Sequence, residues 1–244
     1  MLYASINAVY TLVKDVANVN QRGFISPSNL NAFAAQAQID VFHSILHEYK
    51  LAISDRQRYL TNYKGAYNSI QSIEDDLRPL LRVEESLSYV SGSSFSLPSA
   101  YAYILGLSYL GTEVTVVRPE NIQFSRNSYL SAPTTRNPTA YFTRTTAVLS
   151  PSSITSGVKI AYYKMPQGTT PSTGEPTTLS PSFGYNEING AAVYNPSTSV
   201  NFELPKQLEN KLATRILSYA GISLRESEVA QFAEMQQQKE IANG

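Results

Sequence analysis

The sequence predicts an α+β fold: a helical bundle made by N- and C-terminal helices, with an antiparallel β-sheet or small barrel domain inserted between them. Three observations predict it. Apolar residues recur at three- and four-residue steps at both ends of the chain, the signature of amphipathic helices. From about Leu87 to about Glu203 the composition turns to Ser, Thr, Pro and Gly with short β-branched and aromatic runs. Those runs are separated by turn signals rather than helical stretches, which suits antiparallel pairing better than βαβ units. The predicted division is 1–85 with 204–244 for the bundle and 86–203 for the β domain.

The first helix rests on Leu2, Ile6, Val9, Val13 and Val16, which make one apolar stripe. A turn at Gly23 follows. Leu30, Phe33, Ala37, Val41, Ile45 and Tyr49 then repeat the pattern in a long second helix that extends to about Tyr63, with Gly65 as its break. Ile70, Ile73, Leu77 and Leu80 mark a shorter third helix, interrupted near Pro79.

The stretch between the first two helices, NVNQRGFISPSN (18–29), sits where an EF-hand loop would, with Gly23 at the loop's sixth position. Calcium requires carboxylate oxygens at the first, third and fifth positions and a bidentate glutamate at the twelfth. Here those positions hold Asn18, Asn20, Arg22 and Asn29. Pro27 favours the first helical position and Ser26 the N-cap before it. Gly23, Ser26 and Pro27 therefore read as a helix–turn–helix hinge rather than a metal loop.

In the middle, SLSYV, AYILGL, TEVTVV, TAVLS, VKIAYYK, AAVYN and VNFEL read as strands. Residues 165–182, MPQGTTPSTGEPTTLSPS, read as a mobile loop, because that composition has little apolar surface to bury. Helix resumes after Leu204-Pro205, with Leu208, Leu212, Ile216 and Tyr219 on one face. Gly221 reads as its C-terminal stop. Ser223 and Glu226 have capping-box spacing for a last helix carrying a thin apolar stripe of Leu224, Val229, Phe232 and Met235. That stripe packs on the chain's own core or on a partner, and is the candidate partner interface.

Composition narrows the function. The 244 residues carry 19 Lys+Arg and 19 Asp+Glu, a formal net charge of zero. That argues against a nucleic-acid binder working by phosphate neutralisation and against a polybasic membrane anchor. Charged residues are only 16% of the chain, and chains of low surface charge tend to associate. Cysteine is absent, which excludes disulfides, thiolate metal sites and cysteine nucleophiles. The N-terminus reads as no signal peptide, and no apolar run reaches membrane-spanning length. Seventeen tyrosines suit both strands and protein interfaces.

Chemistry-bearing motifs are sparse. There is no GxSxG, P-loop or dinucleotide turn. His43 and His47 stand at i, i+4 spacing, but HExxH lacks its glutamate at the second position and two ligands fall short of a structural zinc. Glu74, Asp75 and Asp76 are consecutive, so they do not share one helix face and read as a solvated helix end. Arg118, Arg126, Arg136 and Arg144, interleaved with Tyr129, Tyr141 and Phe142, fit a single-strand nucleic-acid surface or equally a subunit contact. The expectation is no catalytic residue, no metal and no cofactor.

The block NAVYTLVKDVANVNQRGFISPSNLNAFAAQAQIDVFHSIL resembles the N-terminus of a group of tailed-phage virion structural proteins, including those of crAss-like phages. Its hallmarks here are Asn20-Gln21-Arg22-Gly23, Pro27, Phe33, the Ala35-Gln36-Ala37-Gln38 run and Phe42. Leu97-Pro98, APTTRNPTAYF (132–142), VKIAYYKMP (158–166) and the Gln-rich tail FELPKQLENKLATRILSYAGISLRESEVAQFAEMQQQKE extend it in order along most of the chain. The loop 165–182 is the part without a match. The resemblance implies a head–tail connector adaptor or ring protein of podovirus type, a non-enzymatic virion component. It implies a ring, twelve-fold in such proteins, stacked beneath the portal, with DNA only as passing cargo. The implied partners are further copies of itself, the portal protein and other connector or tail proteins, with assembly in the host cytoplasm. A different connector ring or tail-hub protein, or a receptor- or carbohydrate-binding virion module using the β region, are the alternatives.

Overall fold

The computed structural model describes residues 3–19, 25–58, 64–129, 132–188 and 191–223. The fold is α+β, with helices near both ends of the chain flanking the sheet region. Three helices come first: α1 (Ile6–Val19), α2 (Pro27–Arg58) and α3 (Lys64–Leu77). Then come β1 (Leu81–Ser86), β2 (Ser88–Ser91), β3 (Ser94–Ser96), β4 (Tyr101–Tyr109), β5 (Thr112–Glu113) and β6 (Thr115–Val116). A short α4 (Ile122–Asn127) leads to β7 (Thr139–Phe142), β8 (Thr146–Ser150) and β9 (Val158–Lys164). Last are β10 (Gly168–Thr169), β11 (Pro176–Thr177), β12 (Tyr185–Ile188), β13 (Ala191–Tyr194), β14 (Asn201–Phe202) and α5 (Glu209–Ser223).

The chain divides into two compact units. One joins Met1–Pro79 to Pro166–Gly244, and the other is the contiguous Leu80–Met165. The first boundary falls at 79/80 rather than the expected 85/86. The second falls at 165/166 rather than 203/204, so β10 to β14 belong with the helices. The reason is visible in the side chains: residues 167–203 are tied to the helices by hydrogen bonds that composition does not announce.

In the discontinuous unit, Ile6, Val9 and Val13 are buried as the stripe on α1 requires. Each contributes roughly 1.5–3 kcal/mol by leaving water. Leu30, Ala37, Val41, Ile45 and Tyr49 of α2, and Leu208, Leu212 and Ile216 in and just before α5, are buried too. Both α1 and α2 lie against α5. The chain start is stapled to its later part: Tyr3 bridges Pro205, and the Ala4 N–H donates to the Leu204 carbonyl at 2.8 Å. Gly221 lies inside the span of α5 and is buried, so the expected stop there is corrected. Glycine weakens a helix by only about 1 kcal/mol, which tertiary packing offsets. Ser223 is the last described residue of α5, and the helix expected after it lies outside the described residues. Gly65 likewise sits in the first turn of α3 and does not break a helix.

The expectation of a mobile loop at 165–182 is also corrected. β10 is the central strand of a three-stranded sheet ordered β11-β10-β14. Thr169 is fully buried and its hydroxyl donates to the Phe202 carbonyl at 3.1 Å. Thr170 and Thr173 hydroxyls meet at 2.5 Å, and both accept from the Glu175 N–H. Ser and Thr here supply local backbone partners, so little apolar burial is needed.

The contiguous unit is two open sheets sharing one core. One is ordered β1-β9-β4-β5 and the other β2-β3-β8-β7-β6. Leu107, Val158 and Ile160 of the first face Phe95, Ala140, Ala147 and Leu149 of the second within one apolar cluster. Among the described residues no barrel closes. Pairing is antiparallel apart from β6 with β7, which is parallel. The change of sheet is made at buried Val114, whose N–H donates to Leu107 in one sheet while the Thr115 N–H donates to Pro138 beside the other.

Candidate interaction surfaces

The hinge between α1 and α2 is capped as its residues require. The Asn29 N–H donates to the Ser26 hydroxyl at 3.3 Å, and the Leu30 N–H donates to the Ser26 carbonyl at 3.0 Å. Pro27 is the first residue of α2. Ser26 Oγ also lies 2.9 Å from Ser28 Oγ. Gly23 lies outside the described residues, as do Leu224, Val229, Phe232 and Met235, so the candidate partner stripe has no structural account.

His43 and His47 are both on the exposed side of α2. Among the described residues no three His, Cys, Asp or Glu side chains gather as metal ligands would. The acidic run at the end of α3 is dispersed: Asp75 pairs with Arg78 at 2.5 Å, and Asp76 accepts a hydrogen bond from the Gln207 amide. The arginines are likewise divided among different tasks. Arg126 donates to Ser150 Oγ at 2.9 Å, and Arg118, Arg136 and Arg144 are exposed. Tyr141 and Phe142 are half-buried on β7, whereas Phe124 is 79% exposed and Tyr129 99%.

Three polar arrangements of the discontinuous unit are invisible to motif reading. Gln38, buried on α2, donates from Nε2 to the Gln167 carbonyl at 2.6 Å and accepts the Glu203 N–H at Oε1 at 2.9 Å. Glu203 Oε2, itself in a buried residue, accepts the Gln167 N–H at 2.9 Å and closes the ring. Asn31 acts as a side-chain strand: Oδ1 accepts the Phe183 N–H at 2.6 Å and Nδ2 donates to the Phe183 carbonyl at 3.1 Å. At the start of α1, Glu209 Oε1 accepts the Ser5 N–H at 2.9 Å and Asn201 Oδ1 accepts the Ile6 N–H at 3.0 Å. These satisfy orphan donors of the helix N-terminus and set a negative charge against its dipole. Partners so far apart along the chain leave no local signal. For Gln38 the sequence holds a hint, a glutamine one residue past the apolar position Ala37.

Three tyrosines among the described residues carry perturbed hydroxyls, and for Tyr10 burial and then the nearby Tyr185 raise the pKa. Burial, then the hydrogen bond to Asp40, pushes the Tyr219 pKa up to about 12. Asp40 also accepts from the Gln36 amide and faces Arg215 at 3.6 Å. In the contiguous unit, burial and a 2.7 Å bond to Glu85 likewise push Tyr162 to about 12. Both are phenols held neutral as hydrogen-bond donors joining neighbouring elements.

The hairpin of β12 and β13 differs from the rest. Its base is fixed by Asn31 and by Phe183, whose ring lies 4.3 Å from Tyr10 and 5.4 Å from Tyr194. Beyond that base, Ile188 is 53% exposed and Val193 44%. Among the described residues the two strands pair only with each other. No helix among the described residues is long and apolar enough to cross a membrane. No protein-family model matches the chain, and no curated protein sequence matches it.

Proposed function

We propose that this protein is a non-enzymatic structural subunit of a tailed-phage virion, a connector adaptor that assembles as a ring beneath the portal and leaves a channel for DNA. The reading starts from the resemblance of NAVYTLVKDVANVNQRGF and its companion blocks to virion proteins of that kind. The observation that supports it most is the charge division between the two units. Seven basic and four acidic residues fall in 80–165, leaving twelve basic and fifteen acidic outside it. The formal charges are therefore +3 and −3 on a chain that is neutral as a whole. A heterologous ring needs two different, complementary surfaces on each subunit, and opposite formal charge on the two units supports that reading. Fully exposed Tyr129 and largely exposed Phe124 on the positive unit are residue types enriched at interfaces.

Native mass spectrometry of the intact protein, alone and mixed with its portal, tests this. A closed ring, twelve-fold on the resemblance, or recruitment at the portal's own stoichiometry is the expected result. A monomer indifferent to the portal would refute it, and retention of that monomer on immobilised glycans would place a receptor-binding module in its stead.

A further inference from the structure

Zero net charge conceals a local excess. Residues 114–158 hold four arginines, no lysine and a single acid, Glu120. The other charged residues of the contiguous unit cancel, Arg82, Lys159 and Lys164 against Glu84, Glu85 and Glu113, so its +3 resides wholly in this segment. Lys159 is also neutralised in place, by Glu84 at 3.0 Å. The four arginines pair with no carboxylate among the described residues.

Strand order gathers them. β6 is the last strand of its sheet and runs parallel to β7, with Thr115 beside Thr139. Arg118 follows Val117, whose N–H donates to the Ala140 carbonyl at 2.8 Å, so it leaves the edge alongside β7. Arg126 of α4 is tied by its 2.9 Å bond to Ser150, the residue paired with Thr139. Arg136 lies in the turn that enters β7, where the Thr134 N–H donates to the Asn137 carbonyl at 3.2 Å. Arg144 lies in the turn that leaves it, where the Thr143 N–H donates to the Thr146 carbonyl at 2.8 Å. All four are exposed. The four residues of β7 span roughly 13 Å, the length of about four stacked nucleotides. The same segment carries the two most exposed aromatic rings among the described residues, Phe124 at 79% and Tyr129 at 99%.

We infer that the β6–β7 edge and α4 bind single-stranded nucleic acid, the arginines taking phosphates and Phe124 and Tyr129 stacking on bases. A basic excess confined to one edge is what phosphate contact requires, whatever the charge elsewhere on the chain. The guanidinium fork matches phosphate oxygens in pairs. An acidic protein patch would also meet the arginines, but it would leave the two rings in water. A single strand offers anionic backbone and apolar base faces together, and any base can stack on an aromatic ring. A duplex keeps its base faces stacked within itself, so the bare rings select the single strand. The inference stands apart from the ring reading: a chain that stays monomeric and binds an oligonucleotide retains it.

The test titrates the full chain into a fluorescein-labelled oligothymidylate of about twenty nucleotides, in about 50 mM salt, and follows anisotropy. The expected Kd is about 100 µM or tighter. Arg118→Gln/Arg144→Gln should raise Kd at least tenfold and lower the slope of log Kd against log salt by about 1.4, because each single-strand phosphate contact contributes about 0.7. Lys14→Gln/Lys206→Gln removes the same charge from exposed positions of the other unit and should stay within about twofold of wild type. Tyr129→Ala should weaken oligothymidylate binding about tenfold and leave the affinity for a duplex of the same length unchanged. Circular dichroism should match wild type in all three variants, since every replaced side chain is exposed. No binding up to about 100 µM, equal loss in the two double variants, or an equal effect of Tyr129→Ala on strand and duplex would overturn the inference. An arginine double variant that binds as wild type but no longer assembles would also overturn it, and would mark the edge as a contact between copies.

Discussion

Gly184 stands at the root of the hairpin, where the chain passes against residues 195–199. Its N–H donates to Ser199 Oγ at 2.9 Å, and its carbonyl accepts the Asn195 N–H at 2.9 Å. A Cβ at this position would lie 2.6 Å from the Thr198 carbonyl carbon and 2.8 Å from the Ser199 nitrogen, and would also meet the Thr198 hydroxyl. Backbone cannot rotate aside as a side chain does. Overpacking of this kind costs roughly 1–3 kcal/mol, and separating 184 from 195–199 weakens two hydrogen bonds at about 1 kcal/mol each. Gly184→Ala should therefore destabilise by about 3 kcal/mol. Two controls divide the cause. Gly174 has φ +71° with only the Tyr3 ring at 3.4 Å, so Gly174→Ala should cost about 1 kcal/mol of backbone strain. Gly106 meets nothing within 4 Å, so Gly106→Ala should stay within about 0.5 kcal/mol of wild type. Urea unfolding followed by tyrosine emission, in a chain with 17 Tyr and no Trp, reads the series. The midpoint should fall by about 1 M or more for Gly184→Ala, given m-values of roughly 1–3 kcal/mol/M. A Gly184→Ala midpoint equal to that of Gly106→Ala would refute the reasoning.

Gln38→Leu should cost about 2–4 kcal/mol in the same assay, because it leaves the Glu203 N–H and the Gln167 carbonyl buried without that partner; a loss below about 0.5 kcal/mol would contradict it. Glu209→Ala removes the carboxylate that accepts the Ser5 N–H and should lower stability by about 1 kcal/mol in thermal melts, with Glu209→Gln recovering part of it. For Tyr219 the folded pKa of about 12 lies above the unfolded value near 10, so its contribution is whole below pH 10 and disappears as pH rises through 12. At this half-buried site, screening leaves about 1 kcal/mol, and Tyr219→Phe should flatten that part of the alkaline stability profile. Ultraviolet titration should show late-ionising tyrosines, with one equivalent lost from the late phase in Tyr219→Phe and one in Tyr162→Phe.

What sequence could read here is what local physics decides. The stripe Ile6, Val9, Val13 and the Ser26–Pro27 cap concern neighbours within four residues, and both stand as expected. VKIAYYK is β9 to the residue, because buried Val158, Ile160 and Tyr162 recur at the two-residue period of a strand. The errors arose where distant partners decide. Residues 165–182 lacked apolar content, yet Thr169, Thr170 and Thr173 supply hydrogen bonds in its place. Gly221 carried a stop signal that packing in α5 overrides. α4, β3 and β12 are too short for periodicity to register. Of the candidate surfaces, the Ser26–Pro27 cap was legible, whereas the sheet edges became visible only once strand order showed which of the described strands lack a second neighbour.

The staple between the chain's beginning and residues 201–209 has a consequence for biosynthesis. The cap of α1 is completed by Asn201 and Glu209, separated from Ile6 and Ser5 by 195 and 204 positions. While the ribosome is still translating, α1 to α3 emerge without the strands and the helix that enclose them. The segment Leu80–Met165 is contiguous and has all its core residues once its own last strand is out. Folding on the ribosome therefore runs inside out for this chain: its middle matures first, and its start waits for its end. A nascent chain arrested with residue 200 just exposed should protect 80–165 from protease while leaving α1 and α2 open to cleavage.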